Sequence, residues 1–284
     1  MKKPLTISLV IPVYNEESHL AACLRAALKQ KQPFLEIIVI DNNSTDSTAD
    51  IAANFPGVTL LHETRQGVVF ARNRGFSAAH GDIIARIDGD TILPTDWTRQ
   101  LGQIFTDDTV DAVSGKMEYY DMAAPRLFNR VDLFFRRHFA RVLGREVALQ
   151  GANMALRRTV WQNVQRATCV EGHLHEDFDL AIHTNQAGYE VRFDERLVAA
   201  IGYRQGATSF RSFCTYAYLS PKTYLRHGLK SGRRMYPTMV LAITCFVILK
   251  VLHRGYDPVT ERFSLQRVFL APEAVRVNPA LFVD

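Results

Sequence analysis

Short apolar runs alternate with helical periods through the N-terminal third of the chain, and this alternation constrains the fold more than any other feature. The predicted strands cover residues 6–12, 35–40, 58–61 and 83–87, and the predicted helices cover 17–29, 44–54 and 67–79. Ser44 or Thr45 is the expected cap of the second helix. Strand and helix in regular alternation predict an α/β fold with a mostly parallel sheet and helices on both of its faces.

The fourth predicted strand, 83–87, stops abruptly at the triplet Asp88-Gly89-Asp90. Ligands of open α/β sheets bind outside the carboxyl ends of the strands. Two carboxylates at such a position are hard oxygen ligands, which suit Mg²⁺ or Mn²⁺ together with the phosphates of a substrate. The alternative is a solvated turn, because this triplet alone is also common in loops.

The early turns of the chain contain no glycine, since the first glycine is Gly57. Dinucleotide-binding folds and P-loops need a glycine-rich turn after the first strand, so both are disfavoured, and a nucleotidyltransferase is weakened on the same ground. Polar residues instead follow the first two strands, namely Tyr14, Glu16, Asp41 and Asn43. These side chains predict recognition of a base and a ribose.

The middle of the chain continues the pattern with less regularity. A helix is predicted from Asp96, strands over 110–119, 191–193 and 197–201, and a helix that opens near His173 and ends by Gly188. Glu176 and Asp177 lie at the start of that helix, where acidic residues are favoured by the helix dipole and can be simple caps. His173 and His175 resemble a metal-binding pair, but no Cys/His partners at zinc spacing follow them.

Residues 126–145 predict a basic amphipathic helix. At 100° per residue its apolar face consists of Leu127, Val131, Phe134, Phe135, His138, Phe139 and Val142, and Arg126, Arg130, Arg137 and Arg141 lie on the other face. Such a helix can lie on an anionic membrane surface. The alternative is a helix docked on its own domain with a solvated arginine face.

The C-terminal part of the chain is basic and aromatic. Residues 204–284 carry 12 Lys/Arg and 4 Asp/Glu, a net charge of +8, whereas the first 203 residues carry a net −3. Within this part, residues 235–249 contain no charged residue, a length that favours a buried, re-entrant or interfacial helix over a membrane-spanning one. The charge predicts contact with an anionic membrane surface. No nucleic-acid-binding motif accompanies it, and the last residues predict a loosely ordered tail.

Cysteine usage and the first residues indicate the compartment. Cys23, Cys169, Cys214 and Cys245 are scattered without a disulfide framework, which favours a reducing environment. The first apolar run contains Pro12 and is too short for a signal peptide. We therefore expect the protein in the cytoplasm, at the inner face of the cell membrane.

Six segments in order resemble the family 2 glycosyltransferases, whose nucleotide-sugar-binding α/β fold is called GT-A. They are Val10-Ile11-Pro12-Val13-Tyr14-Asn15-Glu16-Glu17, Ile38-Val39-Ile40-Asp41-Asn42-Asn43-Ser44-Thr45-Asp46, Ala71-Arg72-Asn73-Arg74-Gly75, Asp88-Gly89-Asp90, Gly151-Ala152-Asn153-Met154-Ala155-Leu156-Arg157-Arg158 and Glu176-Asp177. The resemblance covers residues 5–203. It implies a GT-A domain over 1–203, followed by a helical, basic C-terminal extension over 204–284.

The resemblance also implies site residues. Six would bind the nucleotide: Pro12, Tyr14, Glu16, Asp41, Arg72 and Asn73. Asp88 and Asp90 correspond to the DxD motif of the family, with Asp90 as the direct ligand of Mn²⁺ or Mg²⁺ and Asp88 on the ribose or a metal-bound water. Asp177 corresponds to the catalytic base, which takes the proton of the acceptor hydroxyl. Glu176 would orient the acceptor or tune Asp177.

One departure from the family narrows the expected reaction. The Gln-x-x-Arg-Trp motif of processive synthases is absent, because Gln205 is followed by Gly206-Ala207-Thr208, which favours transfer of one sugar at a time. Arg204 and Arg211 are candidates to clamp the diphosphate, or else surface arginines.

The resulting hypothesis is an inverting, metal-dependent enzyme of cell-envelope glycan synthesis. It moves a sugar from a UDP-sugar or related donor to a lipid-linked or cell-surface glycan, with peripheral membrane contact and no nucleic acid partner. A nucleotidyltransferase on a related fold and an inactive nucleotide-sugar-binding module are the alternatives.

Overall fold

A seven-stranded sheet forms the centre of the protein, seen in a computed structural model that describes residues 4–122, 125–144, 148–170, 174–203, 209–257, 260 and 262–270. Its strands are β1 (Ile7–Val13), β2 (Glu36–Asp41), β3 (Val58–His62), β4 (Ile83–Arg86), β5 (Ala112–Tyr119), β6 (Met154–Arg157) and β7 (Val191–Ile201). They lie side by side in the order β3-β2-β1-β4-β6-β5-β7.

Helices cover both faces of this sheet. The helices are α1 (Leu20–Leu28), α2 (Thr48–Ala53), α3 (Val68–Ala78), α4 (Trp97–Ile104), α5 (Pro125–Leu143), α6 (Arg158–Val164), α7 (Glu176–Gln186), α8 (Phe210–Arg226), α9 (Ser231–Gly255) and α10 (Leu265–Leu270). A short hairpin follows α9, formed by β8 (Tyr256–Asp257) and β9 (Arg262–Phe263).

The sheet is mostly parallel, as predicted. β1 pairs in parallel with β2 and β4, β2 with β3, and β5 with β7. Within this sheet, β6 runs antiparallel to its neighbours, β4 and β5. The carboxyl ends of β1, β2 and β4 therefore meet at one edge, where ligands of such sheets bind.

An apolar core on each face of the sheet explains why the sequences of the central strands are continuous apolar runs. On one face Leu9 and Ile11 of β1 belong to a cluster with Trp97 of α4, and on the other Val10 belongs to a cluster with Phe76 of α3. Strands that are buried on both faces lose the alternation of apolar and polar residues.

Gly75 sets the distance between α3 and the sheet. A Cβ atom at this position would overlap the side chains of Val10 and Ile40. Because no side chain intervenes, the helix backbone lies directly on β1 and β2.

Some local predictions were wrong. Ser44 and Thr45 do not cap α2, which begins at Thr48 after Ser47. The two strands expected at 191–193 and 197–201 are one strand, β7, whose pairing with β5 shifts register after Gly115. That register shift accommodates the polar Asp194-Glu195-Arg196 segment inside the strand, where the sequence pattern suggested a break.

The apolar C-terminal helix extends beyond the uncharged run at 235–249 in both directions. α9 has 25 residues, and Ser231–Leu252 within it is long and apolar enough, by length and composition, to cross a membrane. α9 contacts α5 and α8, and α8 contacts α7. The division of the chain at residue 203 stays a prediction, and the tail at 271–284 lies outside the described residues.

Candidate active site

The loops that follow β1 and β2 are hydrogen-bonded to each other at the carboxyl edge of the sheet. The Asn15 backbone N–H donates to Ser44 Oγ at 3.0 Å, and the Thr45 N–H donates to Asn15 Oδ1 at 2.8 Å. Asn15 and Asn43 adopt φ values of 52° and 62°, a left-handed conformation that asparagine tolerates better than most residues. The two loops that carry the predicted nucleotide-binding residues therefore form one unit.

The four predicted nucleotide-binding residues of this unit differ in exposure. Pro12 lies within β1 beside Ile40 of β2, and Tyr14 is half exposed. Glu16 is buried, with its Oε2 3.4 Å from His19 Nδ1.

Asp41, the fourth of these residues, is buried at the end of β2. Its Oδ1 accepts from the Ser44 N–H at 3.3 Å, and its Oδ2 lies 3.4 Å from His62 Nδ1.

The Asp88-Gly89-Asp90 turn lies directly against the β1 loop. A Cβ atom on Gly89 would lie 3.0 Å from Val13 and 3.2 Å from Glu16, so glycine lets the two loops approach closely. Asp90 is almost fully buried, and its carbonyl oxygen accepts from Tyr120 Oη at 3.2 Å. Asp88 keeps a quarter of its side chain exposed.

Arg86 connects this turn to the first turn of α7. Its guanidinium forms an ion pair with Asp177, and its Nη2 lies 3.5 Å from Glu176 Oε1 and 3.6 Å from Asp88 Oδ1. Asp177 Oδ2 also accepts from the Gly151 N–H at 2.8 Å. Three carboxylates thus surround one cation, whose side chain is only 3% exposed.

No role was predicted for Arg86 from the sequence, although its position at the end of a buried apolar strand indicates one. A charged residue in a buried strand must have partners, because an unpaired buried charge is costly. Arg86 ends the run Ile83-Ile84-Ala85, and it therefore indicates that acidic residues converge there.

The ion-pair network keeps Glu176 and Arg86 charged. Burial works to raise the pKa of the Glu176 carboxyl, but electrostatic interactions with His175, Arg86 and Arg72 outweigh it and lower that pKa. Burial works to lower the pKa of the Arg86 guanidinium, but Asp177 and Glu176 raise it above its ordinary value. Glu176 and Arg86 are therefore both ionised at neutral pH.

Arg72 and Asn73 lie on α3, behind this network. Arg72 is fully buried, and its guanidinium donates to Asn73 Oδ1 at 2.9 and 3.1 Å and to the Glu176 carbonyl oxygen at 2.6 Å. In this structure the pair supports the start of α7, and its contact with a nucleotide stays a prediction.

A polar cavity of about 250 Å³ brings three of the predicted acidic residues together. Its lining includes Asp88, Asp90 and Asp177, with His175 and Tyr216 beside them. His175 Nε2 lies 2.9 Å from Tyr216 Oη. The other predicted site residues are not part of the described lining of this cavity, namely Pro12, Tyr14, Glu16, Asp41, Arg72, Asn73 and Glu176.

A second cavity, of about 390 Å³ and mainly apolar, adjoins the first. It lies among α5, α8 and α9, and its lining includes Phe135, Phe213 and Phe246. Tyr119, Arg136, Gln150, Phe178 and Tyr203 line both cavities. The polar cavity, which contains three aspartates, is thus adjacent to the apolar cavity and shares lining residues with it.

Of the three weaker site candidates, His173, Arg204 and Arg211, one lies among the described residues. His173 and Arg204 lie outside the described residues. Arg211 is exposed on α8, as expected of a surface arginine, and its contact with a diphosphate stays a prediction.

Comparison with known protein families gives a match over most of the sheet. The family model described as "Glycosyl transferase family 2" matches residues 8–164, more than half of the chain. Glycosyltransferase AglE of Haloferax volcanii is 29% identical over 165 residues, which are 56% of this chain and 54% of AglE. An undecaprenyl-phosphate 4-deoxy-4-formamido-L-arabinose transferase of Serratia proteamaculans is 32% identical over 146 residues, 48% of this chain and 41% of that protein.

Solved structures share the fold. The mannosyltransferase PcManGT from Pyrobaculum calidifontis, in complex with GDP-Man and Mn²⁺, gives a TM-score of 0.63 at 21% identity, over 94% of this chain and 79% of that one. Glucosyl-3-phosphoglycerate synthase from Mycobacterium tuberculosis, with Mn²⁺, UDP and glucosyl-3-phosphoglycerate, gives 0.57 at 20% identity, over 79% and 81%. These likenesses confirm the GT-A type of fold. The chain spans about half or less of the length of the curated relatives that it matches.

Proposed function

Because the chain belongs to glycosyl transferase family 2, we propose that it moves a single sugar from a nucleotide-sugar to a hydroxyl of a lipid-linked or cell-surface glycan. The observation that carries this proposal is the polar cavity with Asp88, Asp90 and Asp177, joined to the apolar cavity. The polar cavity suits a sugar diphosphate, and the apolar one suits the hydrocarbon of a lipid carrier.

A UDP-sugar is the proposed donor. PcManGT holds GDP-Man and the mycobacterial synthase holds UDP, which supports a nucleotide-sugar. In this chain Asp41 would accept from the N–H of the base, and Pro12, Tyr14 and Glu16 would surround the base and the ribose. The linked loops after β1 and β2 hold these residues in fixed relative positions.

Asp88 and Asp90 would hold Mn²⁺ or Mg²⁺. Carboxylate oxygens fit both ions, and the two side chains lie in one cavity with room for phosphates. When bound, such an ion neutralises charge on the departing diphosphate as a Lewis acid. Both solved neighbours contain Mn²⁺, which supports a divalent ion here.

Asp177 would act as the base in a single displacement. It takes the proton of the acceptor hydroxyl while that oxygen bonds to the anomeric carbon, and the bond from this carbon to the diphosphate breaks on the opposite side. The configuration is thereby inverted. Arg86 and the Gly151 N–H orient the Asp177 carboxylate, and each of its oxygens keeps a second lone pair for the incoming proton.

The membrane surface supplies the acceptor in this proposal. Only 17% of the apolar stretch of α9 is buried, and Val240 and Ile248 are 59% and 57% exposed. Phe134 on α5 is 65% exposed as well. These faces would contact lipid at the cytoplasmic side, with Lys and Arg side chains near the headgroups.

The test is transfer of radiolabelled sugar from UDP-sugars into the organic phase of a membrane lipid extract. The proposal expects label in the lipid fraction with the native enzyme and none with Asp177→Asn. A folded native enzyme that labels only water-soluble acceptors would refute the lipid carrier. One that transfers label to no acceptor, whichever UDP- or GDP-sugar is supplied, would leave the inactive binding module as the better description.

A further inference from the structure

Four metal-ligating side chains converge behind the first turn of α7, away from the two cavities. Cys169 lies in the loop after α6, Asp179 and His183 lie on α7, and His227 directly follows α8. One ligand atom from each residue lies within 4.8 Å of the ligand atoms of the other three. The catalytic proposal uses none of them.

Asp179 is the centre of this cluster and is fully buried. Its Oδ1 lies 2.8 Å from His227 Nε2 and 3.5 Å from His183 Nε2, and its Oδ2 accepts from the Cys169 N–H at 2.8 Å. Asp179 therefore contacts each of the other three residues of the cluster.

His183 supplies an independent indication. Its Nε2 is buried and makes no hydrogen bond with any residue in the described part of the chain, although it points toward Asp179. Buried polar atoms in native proteins nearly always have a partner, and an unsatisfied one requires an explanation. Asp179 and His183 are four residues apart on α7 and so lie on the same face of the helix.

From these contacts we propose that Cys169 Sγ, Asp179 Oδ1, His183 Nε2 and His227 Nε2 bind one Zn²⁺ ion. Thiolate and imidazole ligands select zinc, whereas the carboxylates of Asp88 and Asp90 suit Mg²⁺ or Mn²⁺. Tetrahedral zinc with bonds of about 2.0–2.3 Å needs ligand atoms roughly 3.3–3.8 Å apart. Separations near the 4.8 Å limit would shorten by about an ångström around the ion, and the 2.8 Å separation of Asp179 Oδ1 and His227 Nε2 would lengthen slightly.

The expected role of this ion is structural. Four protein ligands close the coordination sphere and leave no position for a substrate. The ion would join the loop before α7, α7 itself and the end of α8. It would thereby fix the turn that carries Glu176 and Asp177.

The alternative is a hydrogen-bonded cluster without metal, in which Asp179 and His227 join α7 to α8. Cobalt distinguishes the two explanations, because Co²⁺ substitutes for zinc and gives a thiolate charge-transfer band in the near ultraviolet. Co²⁺ bound by Asp88 and Asp90 would give no such band, since these ligands contain no sulfur.

The experiment uses the full chain, purified without a histidine tag. We expect about one zinc per chain by mass spectrometry, and a thiolate band when the metal-depleted protein is titrated with Co²⁺. Cys169→Ser should abolish the band, and His227→Gln, which retains a donor to Asp179, should weaken Co²⁺ binding at least tenfold. The matched controls Cys214→Ser and His80→Gln should leave the band and the zinc content unchanged.

Two results would overturn the zinc site. One is a protein, folded by circular dichroism, that holds no zinc and gives no thiolate band with Co²⁺. The other is a band that persists in Cys169→Ser, because the sulfur would then come from another residue. Neither result depends on glycosyl transfer, so the zinc proposal and the proposed function can fail separately.

Discussion

Replacing Arg86 with methionine should destabilise the protein strongly and in a pH-dependent way. Methionine has a similar length and no charge, so the substitution leaves Asp88, Glu176 and Asp177 clustered without their shared cation. Breaking a buried ion pair by removing one partner costs about 3–5 kcal/mol. For a chain of 284 residues, an unfolding entropy of about 2.1 cal/mol/K per residue converts that loss into a melting temperature lowered by roughly 5–9 °C.

The pH dependence follows from the sign of the pKa change. In the native protein the pKa of Glu176 is lowered, so its contribution to stability is present above the ordinary glutamate pKa and is lost as the pH falls through the lowered value. Without Arg86 the neighbouring carboxylates favour protonation of Glu176, and its folded-state pKa rises. The stability penalty of the variant should therefore be larger at pH 8 than at pH 5.

The assay is urea unfolding followed by circular dichroism at both pH values. Arg137→Met is the matched control, because Arg137 forms a largely exposed ion pair with Glu195. Exposed pairs contribute about 0–1 kcal/mol, so the control should change little. A loss below 1 kcal/mol in Arg86→Met, equal at pH 5 and pH 8, would refute the buried network as described.

Three further predictions concern the reaction, the core and the membrane face. Asp177→Asn should lower the rate of sugar transfer by about 10²–10⁴-fold and leave the affinity for UDP, measured by calorimetry, unchanged. Transfer at a near-native rate would rule Asp177 out as the base. Gly75→Ala should lower the free energy of unfolding, measured in urea, by about 1–3 kcal/mol, because the added Cβ overlaps side chains of β1 and β2. Gly102→Ala is the control and should not destabilise the protein, because a Cβ at Gly102 has no atom within 4 Å. Equal effects of the two substitutions would contradict the close packing of α3 on the sheet. Val240→Asp should weaken sedimentation with anionic vesicles several-fold. Leu35→Asp, at a similarly exposed position on another part of the surface, should not. Equal binding of both variants would exclude α9 from the membrane contact.

The sequence predicted the parallel half of the sheet well, because apolar runs and polar loop residues alternate there at regular intervals. The loop after β1 and the Asp88-Gly89-Asp90 turn meet where the parallel topology requires. Their convergence follows from a general rule, since the carboxyl ends of neighbouring parallel strands lie at one edge.

Features that depend on tertiary contacts were harder to predict. The ion pair of Arg86 with Asp177 joins residues 91 positions apart, and no local pattern specifies such a partner. β7 was split in two because its polar middle obscured the strand period. The uncharged run ends at residue 249, yet α9 continues to Gly255, since a lysine within a helix can direct its charge to the surface.

The zinc cluster illustrates the same limit. His173 and His175 are close in sequence and resemble a metal-binding pair, whereas the residues that converge in space are Cys169, His183 and His227 around Asp179. Their spacing along the chain matches no zinc motif, because the ligands come from three separate elements.

The central claim, that Asp88 and Asp90 form the metal and diphosphate site of a nucleotide-sugar enzyme, is tested most directly by calorimetry of nucleotide binding. UDP and GDP are titrated in Mn²⁺ and in EDTA, with Asp90→Ala and, as a control, Asp50→Ala on the exposed side of α2. We predict UDP binding that requires Mn²⁺, disappears in Asp90→Ala and persists in Asp50→Ala. Binding that Asp90→Ala leaves intact, or no binding of either nucleotide by the folded protein, would contradict the claim.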